Sequence, residues 1–281
     1  ILEVIRMLRQ SVEQNGPRVY AIVAPSISGQ FRYAKLGQVV SGIRALGFAG
    51  VMEVALGADL VAKEEAAEWA EKKFLTTSCC PAFVEYIKKQ FPAMAEHIST
   101  NPSPMARIAQ LIKEREPEAK VVFIGPCAAK KLEASRASVR SDVDFVITFE
   151  ELAGMFAAKE IDFSKYAEGC AMHEATGAGR GYAVAGGVAS AIEQCVKVYY
   201  PGVDVKIEHA EGLDACKKVL ILAKLGKKNG CLIEGMGCPG GCVAGAGTNI
   251  PVPKAQKKVK EFVKASSKQL PPKELGEIEL K

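Results

Sequence analysis

No stretch of about 18 or more apolar residues occurs anywhere in this chain, so it carries no segment built to span a membrane. No charged segment followed by an apolar stretch opens it, and nothing there marks it for export. Methionine is missing from the first position, where Ile1 stands; the expectation is an excised fragment or a processed start. No repeat recurs at a fixed period and no low-complexity linker divides the chain. Eight lysines against four glutamates between Pro251 and Lys281 hold most of the net charge of +5, leaving the rest nearly neutral. Such a tail could attract an acidic partner, but it has no interleaved aromatic residues, which argues against nucleic acid. A solvated helix face over Lys254 to Lys268 explains it more simply.

What is present is enough to build a large core. The 281 residues are 48% hydrophobic, enough for one large domain or two lobes. Short β-branched runs at Val19–Ala24, Gly50–Val54, Val121–Ile124, Phe145–Thr148, Val203–Glu208 and Cys231–Glu234 read as buried strands. Helical patterns fall between them at Tyr33–Leu46, Lys63–Lys73, Ala82–Gln90, Pro104–Arg115, Gly187–Tyr199 and Leu213–Leu225. Regular alternation of strand and helix predicts an α/β fold of mostly parallel sheets flanked by helices. Residues 1–16 read as a linker helix, 17–250 as the core and 251–281 as a lysine-rich helical tail.

Nine cysteines in a chain with no export mark point to reduced thiols and metal or redox work, and to a cytoplasmic location. Cys170, Cys195, Cys216 and Cys231 read as small core hydrophobes. The others lie in three loops: Thr77-Ser78-Cys79-Cys80-Pro81, Gly125-Pro126-Cys127-Ala128-Ala129-Lys130-Lys131, and Cys238-Pro239-Gly240-Gly241-Cys242. A Pro-Gly-Gly spacer makes a tight turn that packs poorly in a core but wraps easily around metal. Structural zinc fits Cys238 with Cys242, yet the second pair would be the adjacent Cys79 and Cys80, which rarely chelate one ion. Four thiolates can instead hold an iron-sulfur cubane. Cys127 and Cys238 follow predicted strands, where open α/β sheets gather their ligands.

Together the three loops resemble the three signature segments of the iron-only (FeFe) hydrogenases. Glu234-Gly235-Met236-Gly237-Cys238, continued through Cys242 and Gly245, is similar to the family's third signature. Val143 to Thr148, Gly177-Ala178-Gly179 and Gly186-Gly187-Val188 follow the family order, so the likeness covers roughly Arg18 to Gly247. It implies two lobes, each a mostly parallel sheet flanked by helices, with a metal cluster in the cleft between them. That cluster would be a 4Fe-4S cubane joined to a diiron unit bearing carbon monoxide, cyanide and a bridging dithiolate amine. By position, Cys80, Cys127, Cys238 and Cys242 would ligate the cubane, Cys242 also bridging to the diiron unit. Pro25, Ser26 and Lys130 would bind the cyanides, and Met236 would pack beside the metal. The implied proton relay runs through Cys79, Glu65, Ser99 and Glu68, with Lys72 at its mouth. Glu65 and Glu68 lie three apart and so share a helix face.

The implied reaction interconverts protons and electrons with dihydrogen. Departures include Ala82 and Phe83 for the family's Gly-Trp, Gly125 for a methionine, Met105 for a glutamine and Tyr182 for a phenylalanine. Exchanging methionine for Gly125 should open space beside the metal. These departures resemble the divergent branch of the family linked to hydrogen sensing. The Cys-x2-Cys-x2-Cys-x3-Cys motif of ferredoxin-like domains is absent, so a ferredoxin-like partner or domain would supply electrons, and maturation proteins the diiron unit. A rival reading is a narf-like iron-sulfur assembly protein that holds a cubane without the diiron unit.

Overall fold

The computed structural model describes residues 1–167, 175–272 and 280. Seven strands are found there: β1 (Val19–Val23), β2 (Gly50–Glu53), β3 (Leu75–Thr76), β4 (Lys120–Gly125), β5 (Phe145–Thr148), β6 (Lys206–Glu211) and β7 (Cys231–Met236). They make two parallel sheets, ordered β2-β1-β4-β5 and β3-β7-β6. Every residue of β1 and β7 is buried, alternate side chains included. A strand hidden on both sides needs helices over both faces, as parallel crossovers supply.

The helices are α1 (Leu2–Glu13), α2 (Leu36–Ala45), α3 (Val54–Lys72), α4 (Pro81–Gln90), α5 (Pro104–Arg115), α6 (Ala129–Ala134), α7 (Phe149–Ala158), α8 (Gly177–Gly181), α9 (Gly187–Tyr199), α10 (Leu213–Lys224) and α11 (Val252–Lys264). Helix α5 shows how sequence fixes them. Ser103 caps it by accepting from the Ala106 N–H at 3.4 Å, and Pro104 supplies the first helical residue. Met105, Ile108, Ala109 and Ile112, at helical spacing, are all fully buried, and α5 packs against β1 and β4. Burying Ile108 and Ile112 contributes about 1.5–3 kcal/mol each. Val4 and Leu8 of α1 are buried in the same core. On α11, Ala255 and Val259 are buried while Lys254, Lys257, Lys258, Lys260 and Lys264 stay exposed.

Besides α6, α7 and α8, which no helical pattern above predicts, three further elements differ from expectation. Helix α3 begins directly after β2 and runs 19 residues, where the sequence pattern predicts only Lys63–Lys73. Its first turns are apolar on all sides because they lie wholly inside, against α5, α8 and α9, so no amphipathic stripe marks them. Strand β6 starts at Lys206, three residues later than predicted. The Val203 N–H is used in a turn to the Tyr200 carbonyl, and Val203 and Val205 pack on the second core instead of joining the ladder. Strand β3, two residues long, gives no periodic signal at all.

Candidate metal centre

Three loops leave the carboxyl ends of three strands and meet. The loop after β3 carries Cys79 and Cys80, that after β4 carries Cys127, and that after β7 carries Cys238 and Cys242. β4 belongs to one sheet, β3 and β7 to the other. Between the sheets lies a cavity of about 220 Å³ whose wall includes all five of these cysteines together with Pro25, Ser26, Lys130 and Met236. Nine residues expected at the site from sequence thus border one space.

Local backbone chemistry sets each thiol. Cys80 is the residue before α4, and Cys127 stands just ahead of α6. The Gly237 N–H already points at Cys80 Sγ, 3.3 Å away. Gly241, at φ +87°, turns the last loop, and a Cβ there would lie 2.5 Å from the Ala185 nitrogen, so glycine is required on both counts. Burial pushes the Cys127, Cys238 and Cys242 thiols above their ordinary range, with neighbouring cysteines adding to it. Among the described residues no three His, Cys, Asp or Glu side chains are grouped closely enough to hold one ion. The thiols ring a space instead, as a multi-iron group requires.

The polar wall fits the same kind of group. Ser26 is fully buried and its hydroxyl has no partner among the described residues. Lys130 is 8% exposed; its ammonium reaches the Cys79 carbonyl at 3.3 Å and pairs with Glu133 Oε2 at 2.6 Å. Burial alone would lower the Lys130 pKa, but the Glu133 carboxylate overrides it and the net shift is upward. A buried cation and a buried free hydroxyl suit anionic ligands. Glu133 escaped the sequence reading, although its place three residues after Lys130 on α6 was a usable signal.

Helix α3 runs from β2 to β3 and carries the acidic residues. Glu65 is fully buried and accepts from the Ser78 N–H and hydroxyl, both at 3.4 Å, while its Oε2 has no partner among the described residues. Burial pushes this carboxyl up to about 7, opposed in part by the hydrogen bonds from Ser78. Glu68 accepts from the Ser99 hydroxyl at 2.8 Å, the Asn101 amide at 2.8 Å and the Thr100 N–H at 3.1 Å, and pairs with Lys72 at 2.6 Å. Burial raises the Glu68 pKa, but the bonds from Lys72, Ser99 and Thr100 outweigh it and the net shift is downward. Lys72 is exposed. The two glutamates are thus held in opposite protonation tendencies with Ser99 between them. Asn101 and Thr100 were missed because loop side chains have no periodicity to betray them.

Gly125 does not open the expected space. A Cβ at 125 would lie 2.4 Å from the tip of the Phe123 ring, which occupies that volume and itself lines the cavity. Residues two apart on a strand share a face, so Phe123 replaces from β4 what residue 125 lacks. Phe83 is likewise fully buried and packs where a side chain at Gly235 would stand. Cys195, Cys216 and Cys231 are buried in the second and third cores, and Cys170 lies outside the described residues.

The family model for the iron only hydrogenase large subunit, C-terminal domain, matches residues 17–246, and the chain belongs to that family. It is 31% identical over 268 residues to the periplasmic Fe hydrogenase large subunit of Nitratidesulfovibrio vulgaris, covering 76% of this chain and 62% of that one. A shorter match, 39% over 92 residues, links 33% of the chain to 20% of the cytosolic Fe-S cluster assembly factor NAR1 of Kluyveromyces lactis. An FeFe-hydrogenase structure from Chlamydomonas reinhardtii superposes with a TM-score of 0.74 at 20% identity, covering 92% of this chain and 88% of that one. The chain therefore has the hydrogenase fold and spans less than two thirds of the length of either curated relative.

Proposed function

We propose that the cavity holds a 4Fe-4S cubane on Cys80, Cys127, Cys238 and Cys242, with a diiron unit beside it, and that the chain interconverts protons and electrons with dihydrogen. One observation carries this. The same cavity wall that presents four thiols also presents Ser26, Lys130 and Met236, and Cys79 on that wall lies beside buried Glu65, which leads toward exposed Lys72. When bound, the six-iron group supplies the electrons and the metal at which hydrogen is made or split. The chain supplies the rest. Burial and the nearby Glu65 carboxylate push the Cys79 thiol well up, so it keeps its proton at neutral pH, ready to pass it on. Glu65, titrating near 7, is matched to exchanging protons at that pH. Ser99 and Glu68 continue the route, and the apolar residues Val54, Met105 and Phe123 shield the cavity from water.

A cubane carrier of the assembly-factor kind needs neither a buried Lys130 nor an acidic route to the surface, which is why the hydrogenase reading is preferred. The substitutions at Ala82, Phe83, Gly125, Met105 and Tyr182 support a sensing role over fast turnover. Electrons would come from a ferredoxin-like donor and the diiron unit from maturation proteins. Infrared spectra after maturation test the proposal. Metal-bound carbonyl and cyanide bands, with hydrogen evolution from a reduced mediator, are expected; a cubane signal without those bands would return the chain to the carrier class.

A further inference from the structure

The cavity has a second unpartnered hydroxyl besides Ser26. Tyr182 follows α8, and its ring is 6% exposed, packed in the second core with Ala58, Ala62 and Met236. Its phenol oxygen is buried and has no hydrogen-bond partner among the described residues, and the residue lines the cavity, as Cys79 does. A buried hydroxyl without a partner costs free energy that phenylalanine would avoid while filling the same volume. Such groups persist where something else satisfies them. Met105 and Phe123, which also line the cavity, present only thioether and ring.

We propose that the Tyr182 hydroxyl donates a hydrogen bond to the group held in this cavity, a contact that a phenylalanine cannot make. Tyr182 is thus a binding residue that tunes the metal centre from the side of the proton-bearing Cys79. Burial holds the phenol well above its ordinary range, so its proton stays in place to be donated. The proposal rests on the six-iron reading, and the test separates the two.

The experiment compares wild type with Tyr182→Phe, each prepared with and without maturation. In the matured proteins the carbonyl and cyanide infrared bands of the variant should shift by several wavenumbers, because withdrawal of a donor changes electron density on the bound ligands. Without maturation the variant should melt at the same temperature as wild type or about 2–4 °C higher, since only an unsatisfied group has been removed. Coincident infrared bands overturn the assignment of Tyr182 while leaving the six-iron reading intact. A variant that melts several degrees lower without maturation also overturns it, because the hydroxyl would then have a partner in the protein. Absence of metal-carbonyl bands from matured wild type overturns both readings.

Discussion

Glu65→Gln offers a test that needs no metal chemistry. The side chain is fully buried, and its carboxyl titrates at about 7 in the folded chain against 4.5 as the ordinary value. Burial is the main cause, opposed in part by hydrogen bonds from Ser78, with the Glu68 carboxylate adding to the rise. Between those two pH values the folded chain binds more protons than the unfolded one. Stability is therefore fully present below 4.5 and is lost as pH rises through about 7. At about 1.36 kcal/mol per pKa unit, the whole loss is on the order of 3 kcal/mol. Glutamine keeps the shape and an acceptor for Ser78 but cannot ionise. Equilibrium urea unfolding of the full chain, at pH values from below 4.5 to above 7, should show the variant gaining on wild type by about that amount. Parallel stability curves for the two chains would show that Glu65 is not held neutral by its surroundings, and the relay would lose its middle carrier.

Cys127→Ala and Cys238→Ala should each abolish cubane assembly, since three thiolates rarely retain four irons, and iron analysis with electron paramagnetic resonance would show it. Cys79→Ala should keep all six irons yet lower hydrogen turnover by about 10²–10⁴-fold, with Cys79→Asp losing less, measured per intact cluster from a reduced mediator. Lys130→Met should strand the buried Glu133 carboxylate and cost about 3 kcal/mol in urea unfolding, a loss largely recovered in Lys130→Met/Glu133→Gln although neither chain should bind the diiron unit normally. Gly125→Met should collide with the Phe123 ring and destabilise by about 1–3 kcal/mol, and Phe123→Ala/Gly125→Met should recover most of it.

The parts of the fold legible in the sequence were those whose burial is one-sided or whose composition is extreme. β1, β4 and β7 are short β-branched runs bounded by loops, and α5 has a four-residue apolar stripe behind Ser103 and Pro104; both kinds of signal are local. The opening turns of α3 were hidden by being apolar on all sides. Helix α7 did announce itself. Thr148 and Glu151 exchange N–H bonds at 3.1 and 2.7 Å, a capping box readable as Thr-x-x-Glu, but the strand ending at Thr148 masked it.

The site divides along the same line. Cysteines announce themselves because few other uses explain a Cys-Pro-Gly-Gly-Cys turn, and the folded chain brings those loops to one cavity. What surrounds them was not legible, because it depends on which side chain fills which volume. Phe123 and Gly125 form one unit: the ring occupies the place that the missing side chain leaves, so the substitution that reads as an opening is a repacking. The same reasoning bears on Met105 and Tyr182, which line the cavity together. One gives the wall a thioether with no proton to donate, and the other brings a phenol proton with no taker among the described residues. Beside the Ser26 hydroxyl and the Lys130 ammonium, what these two positions donate is therefore set by the pair and not by either residue, and a single-residue comparison with relatives would misjudge the electronic environment of whatever the cavity holds.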